Sequence, residues 1–223
     1  MNLKTFFSEQ ARKPSGLFGR WVMSTIFDYG NAALNDFMKE ILSLKENEHV
    51  LEIGFGTGKL ISEMAKRVNK GLIEGIDLSD VMVATAKKKN KKYITEGKVI
   101  IRQGDFEKII YNENCFDKIF SANTVYFWPN PDTCIKKIFK ILKPGGQLIL
   151  AFEDIEQLKG RPLKTDVFHI YHQHEILKHL SRNGFSENTQ IFSREIKSLR
   201  YHCAVAVKMQ PKNPLSDREH NDA

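Results

Sequence analysis

The chain has 223 residues and a net charge of +7, with 41% of its residues apolar and 27% charged, enough for one good core, and no Gly/Ser/Pro-rich linker divides it. No apolar run approaches bilayer length, and Lys4, Glu9, Arg12 and Lys13 interrupt the N-terminus where a signal peptide needs an apolar stretch, so a soluble, cytoplasmic protein is expected. Three scattered cysteines, Cys115, Cys134 and Cys203, offer no disulfide framework and no metal spacing.

Residues 1–47 precede the first predicted strand. Leu17, Phe18, Trp21, Val22, Ile26 and Phe27 recur at helical spacing, and Leu34, Phe37, Met38, Ile41 and Leu42 repeat the pattern after Gly30. Tyr29 and Asn31 fall at the break between these helices and are placed to reach a ligand. Arg12, Lys13 and Arg20 beside Phe18 and Trp21 have the composition of a peripheral membrane contact.

A strand near 49–53 runs directly into Gly54-Phe55-Gly56-Thr57-Gly58, and a helix is predicted over 58–70. Glycines can take positive φ and let a ligand approach the backbone closely. The next strand, 72–76, ends in Asp77, where an acid is placed to hydrogen-bond a ribose. Position 59 is Lys59, whereas the dinucleotide fingerprint has its third glycine there. A nucleoside-bearing cofactor other than a dinucleotide is therefore expected over the carboxyl ends of a parallel sheet.

A helix over 80–92 ends in Lys87-Lys88-Lys89-Asn90-Lys91-Lys92, the centre of a basic surplus of eleven Lys/Arg against five Asp/Glu between 59 and 102. Without interleaved aromatics such a run reads as a hydrated helix end, and no nucleic-acid partner is expected. Strands over 98–102, 117–121 and 146–152 and helices over 131–142 and 173–183 continue the alternation, which argues for βαβ units in a covered parallel sheet. Residues 189–196 and 201–207 read as a hairpin, and 209–223 as a polar, disordered tail.

The spacing Glu52-x-Gly54-x-Gly56-x-Gly58, Gly75-Ile76-Asp77-Leu78-Ser79, Gln103-Gly104-Asp105-Phe106 and Leu142-Lys143-Pro144-Gly145-Gly146 resembles, over residues 48–152, the class I S-adenosylmethionine (SAM) methyltransferases. The resemblance implies a Rossmann-like three-layer sandwich with a seven-stranded, mostly parallel sheet of order 3-2-1-4-5-7-6, the last strand antiparallel. It implies a core over 48–208 under an N-terminal helical lid over 1–47. It further implies that Glu52, Gly54, Phe55, Gly56 and Gly58 pass around the amino-acid tail and ribose, and that Asp77 takes the ribose hydroxyls. Leu78, Met82, Gly104, Asp105 and Phe106 would surround the adenine, while Ser121, Asn123 and Tyr29 would stand near the methionine moiety. S-adenosylhomocysteine (SAH) would be the product.

The reaction so implied is an SN2 transfer to an O, N or C nucleophile of a small organic molecule. Asn123-Thr124-Val125-Tyr126 lacks the paired prolines of enzymes that methylate amino groups of adenine or glutamine amides, and no cysteine follows a proline as in carbon-5 cytosine enzymes. Tyr126 and Trp128, in Tyr126-Phe127-Trp128-Pro129, are candidates to stack on an acceptor, and Glu153, Asp154, His169 and His172 are candidate bases. His169, His172, His174 and His179 do not repeat one helix face, so no metal is expected. The loop loosely resembles ubiquinone and menaquinone methyltransferases, which leaves a lipid or quinone precursor at a membrane surface as one alternative. A SAM-binding regulator without transfer activity is another; no obligate protein partner is implied.

Overall fold

The structure is a computed structural model that describes residues 3–19, 29–159, 168–185 and 189–209. Trp21, Val22, Ile26 and Phe27 of the first predicted apolar stripe, and the predicted tail beyond Met209, lie outside the described residues.

Seven strands form one sheet in the order β3-β2-β1-β4-β5-β7-β6. They are β1 His49–Ile53, β2 Leu72–Asp77, β3 Val99–Gln103, β4 Phe116–Ala122, β5 Leu142–Glu153, β6 Gln190–Ile196 and β7 Leu199–Val207. The first five are parallel, and β7 runs antiparallel to both β5 and β6. β1 and β4 are buried nearly end to end, as strands covered on both faces must be. Because successive side chains leave a strand on opposite faces, Leu51, Ile119 and Leu148 pack with Ile135, Ile138, Ile176 and Leu180, whereas Val50, Phe120 and Ile149 pack with Leu34, Met38, Leu60, Ile61 and Val83. Numbering only helices longer than five residues, α1 Leu3–Arg12 comes first in the chain, and the helices that supply these residues are α2 Ala32–Leu42, α3 Lys59–Met64, α4 Asp80–Lys89, α5 Pro131–Ile141 and α6 Gln173–Arg182. The outcome is the α/β sandwich and strand order that the sequence implied.

Two helices are shorter than predicted. After Met64, the Arg67 and Val68 amides both turn back to the Met64 carbonyl, which carries Ala65 and Val68 into the core. The helix expected over 80–92 breaks at Asn90. That side chain is fully buried, and its Nδ2 donates to the carbonyls of Ala86 and Gly58, both at 3.0 Å. Asparagine commonly competes with the helix for backbone partners; here it anchors the glycine loop to α4. The Lys-Pro-Gly-Gly segment is an outward bulge, with Leu142 opposite Phe116 and Gln147 opposite Lys118. Gly145 takes φ 80°, and its amide donates to the Lys208 carbonyl at 2.7 Å.

Gly58 opens α3 at φ 68°, and a Cβ there would lie 2.6 Å from Cβ of Ala86 and 2.9 Å from Nδ2 of Asn90. Gly58→Ala is therefore expected to cost about 1–3 kcal/mol from strain and overpacking, read as a lower urea midpoint with an unchanged slope.

Candidate functional site

The five parallel strands all end on one edge of the sheet, where a cleft of about 460 Å³ opens. Gly54, Gly56 and Gly58 have φ of 74°, 53° and 68°, so the loop after β1 turns through conformations that side chains with a Cβ rarely adopt. A Cβ on Gly54 would overlap Cγ2 of Thr124, so this loop lies directly against the end of β4.

Asp77 ends β2 facing that loop. Its Oδ2 accepts the Gly56 amide and its Oδ1 the Ser79 amide, each at 2.9 Å. Burial raises the Asp77 pKa from 3.8 to about 6 against the pull of these amides and that of Leu78. Glu52, on β1, is only 4% exposed, and its Oε2 has no hydrogen-bond partner among the described residues. Burial first, and the Asp77 charge second, lift its pKa well above the usual carboxylate range. Two carboxylates thus share one desolvated end of the cleft. Ser79 caps α4 by accepting the Met82 amide at 3.2 Å, and its hydroxyl donates to the Pro14 carbonyl at 2.5 Å. The N-terminal segment is thereby pinned beside the cleft, which Arg12 and Pro14 help to line.

Leu78, Met82, Gly104, Asp105 and Phe106 also line the cleft, as do Gly54, Phe55, Gly56 and Asn123. Asn123 has φ 54°, and its Nδ2 donates to Oδ1 of Asn31 at 2.9 Å and to Oε1 of Glu153 at 3.3 Å. The N-terminal helices, β4 and β5 therefore converge on one side chain. Next to it stand Tyr126, Phe127, Trp128, Leu158 and Phe168, with the Tyr126 and Phe168 ring centroids 4.7 Å apart. The hydroxyl of Tyr126 accepts the Glu153 amide at 2.6 Å, which fixes where the Glu153 side chain starts.

Several predicted residues stand elsewhere. Gly58 packs beneath the loop, away from the cleft. Ser121 donates to the Ile53 carbonyl at 2.8 Å and hydrogen-bonds Thr124, joining β4 to β1. Tyr29 is 81% exposed and does not line the cleft, whereas Asn31 does. His169 is exposed, its amide donating to the Tyr126 carbonyl at 2.8 Å. Asp154 and His172 border a separate pocket with His202, whose Nε2 lies 3.0 Å from Oδ2 of Asp154. No group of His, Cys, Asp or Glu among the described residues has metal-binding geometry. No helix among them is long and apolar enough to cross a membrane.

Sequence reasoning missed Pro14, Glu107, Leu158 and Phe168 as part of the cleft wall. Phe168 and Tyr126 are separated by 41 intervening residues, and no local pattern links them.

A family model described as a methyltransferase domain matches residues 51–150. An uncharacterised methyltransferase of Bacillus subtilis, YdaC, is 30% identical over 178 residues, covering 80% of this chain and 93% of that protein. Sterol 24-C-methyltransferase of Saccharomyces cerevisiae is 29% identical over 145 residues, covering 65% of this chain but only 38% of the yeast protein. A crystal structure of a SAM dependent methyltransferase from Aquifex aeolicus superposes with a TM-score of 0.68 at 21% identity, over 84% of this chain and 98% of that one.

The folded-state pKa of Asp77 lies above its unfolded value, so the native state holds the extra proton between them. The stability that this proton confers is complete below pH 3.8 and is lost as pH rises through about 6. Thermal melts of the ligand-free protein should therefore show this contribution falling across that interval, and Asp77→Asn should flatten the dependence.

Proposed function

The chain belongs to the class I SAM-dependent methyltransferases, and from that premise we propose that it methylates a small organic acceptor held in the aromatic chamber beside Glu153. The carrying observation is that one continuous cleft joins the Gly54–Gly56 loop, Glu52 and Asp77 to Asn123, Glu153 and the rings of Tyr126, Phe127, Trp128 and Phe168.

The donor set suits the cofactor. The buried, unpartnered Oε2 of Glu52 would accept the α-ammonium of the methionine tail, and the paired oxygens of Asp77 would accept a cis-diol. Leu78, Met82 and Phe106 would flank the adenine, and Asp105 would accept from its exocyclic amine. Bound SAM supplies a methyl group already activated by its sulfonium charge. The chain has then to align the acceptor, exclude water and remove a proton where the acceptor carries one. Of the candidate bases, Glu153 lines this cleft, while Asp154 and His172 border the other pocket and His169 lies outside both. We assign Glu153 as the base and orienting acceptor, with Asn123 and Tyr126 holding it in place. The apolar rings favour an acceptor with a flat or aliphatic body.

A lipid or quinone precursor is the more specific second reading. It is supported by the aromatic chamber and by the sterol-methylating relative, although the chain spans only 38% of that protein's length.

Incubation with methyl-labelled SAM and a fractionated metabolite extract should label a small product. Label in the lipid fraction alone would support the second reading, and label confined to protein or nucleic acid would overturn both. Glu153→Gln should lower transfer by about 10²-fold or more and leave SAH affinity by calorimetry near that of the unaltered protein. A variant that transfers methyl at full rate would remove Glu153 from the reaction.

A further inference from the structure

The loop after β3 holds Asp105 and Phe106, and its shape depends on a residue outside the cleft. Lys108 and Ile109 both donate their amides to the Asp105 carbonyl at 3.0 Å, while the Glu107 amide donates to Oδ1 of Asp105 at 3.0 Å. This is one isolated helical turn, and a helical turn leaves its last carbonyls without donors of its own. Here the carbonyls of Phe106, Glu107 and Ile109 all receive the ammonium of Lys137, the first at 2.5 Å and the second at 3.2 Å. An ammonium has three N–H donors, matching the three acceptors. The same nitrogen lies 4.9 Å from the centroid of the Phe106 ring. One helical turn earlier on α5, the thiol of Cys134 meets Oε1 of Glu107 at 3.4 Å. Lys137 does not line the cleft and takes no part in the proposed transfer.

We propose that Lys137 is a positioning residue that caps the Asp105–Ile109 turn and thereby sets selectivity for the adenine base. This rests on Asp105 being the acceptor for the exocyclic amine. Three hydrogen bonds and a ring contact from one side chain fix where the Asp105 carboxylate and Phe106 ring stand, although the lysine touches neither base nor methyl group.

The test compares binding of SAH with that of S-inosylhomocysteine, which carries a carbonyl in place of the exocyclic amine. In Lys137→Met, SAH should bind about tenfold more weakly, and the preference for SAH over the inosine analogue should shrink toward that of Asp105→Asn. Hydrogen exchange of the amides of residues 105–109 should also accelerate in the ligand-free variant. Lys137→Arg keeps the charge but presents a planar fork, which cannot converge on three carbonyls in the same way, so intermediate selectivity is expected. This second variant carries the test if the methionine variant does not fold. A folded Lys137→Met protein with the preference of the unaltered chain would overturn the inference, provided Asp105→Asn loses that preference. If Asp105→Asn keeps it too, the adenine contact itself is misassigned and the inference falls with it.

Discussion

The site depends on one carboxylate that stays in place after losing most of its water. Asp77 is held by the amides of Gly56 and Ser79, which belong to two different loops, so a single side chain fixes the glycine loop after β1 against the start of α4. Burial acts against the charge and the amides act for it, and burial wins, raising the Asp77 pKa to about 6. Glu52 deepens the conflict from the neighbouring strand. In the proposed reading, a ligand that brings a diol and an ammonium would relieve both strains. Binding at this end would then also relieve a cost left by the fold.

What the chain says plainly is what depends on a few consecutive residues. Gly54, Gly56 and Gly58 are legible because the loop needs positive φ at all three, and Asp77 because it ends a short apolar run. The closing hairpin is legible from its two apolar runs, with both turn residues, Lys197 and Ser198, at positive φ. What depends on convergence is silent. The Pro14 carbonyl meeting Ser79, Phe168 meeting Tyr126, and His202 contacting Asp154, Gln173 and Ser193 each join segments that no short-range pattern relates. Asn90 is an intermediate case, since it reads as a polar helix end yet is buried as the tie between α4 and Gly58. Tyr29 shows the opposite error, because a helix break can as readily leave an aromatic ring in water as turn it inward.

The two ends of the cleft are built by different physics. At the end proposed for the cofactor, backbone amides and carboxylates dominate, and their positions follow from strand tips and glycine turns. At the end proposed for the acceptor, four aromatic rings line the cleft with one acid, and Asn123 ties that acid to the N-terminal helices through Asn31. Changes in the ring set could alter acceptor choice without disturbing the adenosyl end.

The outermost strand has a further consequence for solution behaviour. Among the described residues β6 has a neighbour only on its β7 side, and an unpaired strand invites another chain to add to it. Arg194 on this strand is held bidentately by Glu40 at 3.0 and 2.7 Å and lies 4.5 Å from the centroid of Phe37, so a desolvating partner would have to displace a fixed charge. With Glu195 alongside and a left-handed turn immediately after, this margin is armed against fibre-like stacking even though Phe192 remains in view of solvent.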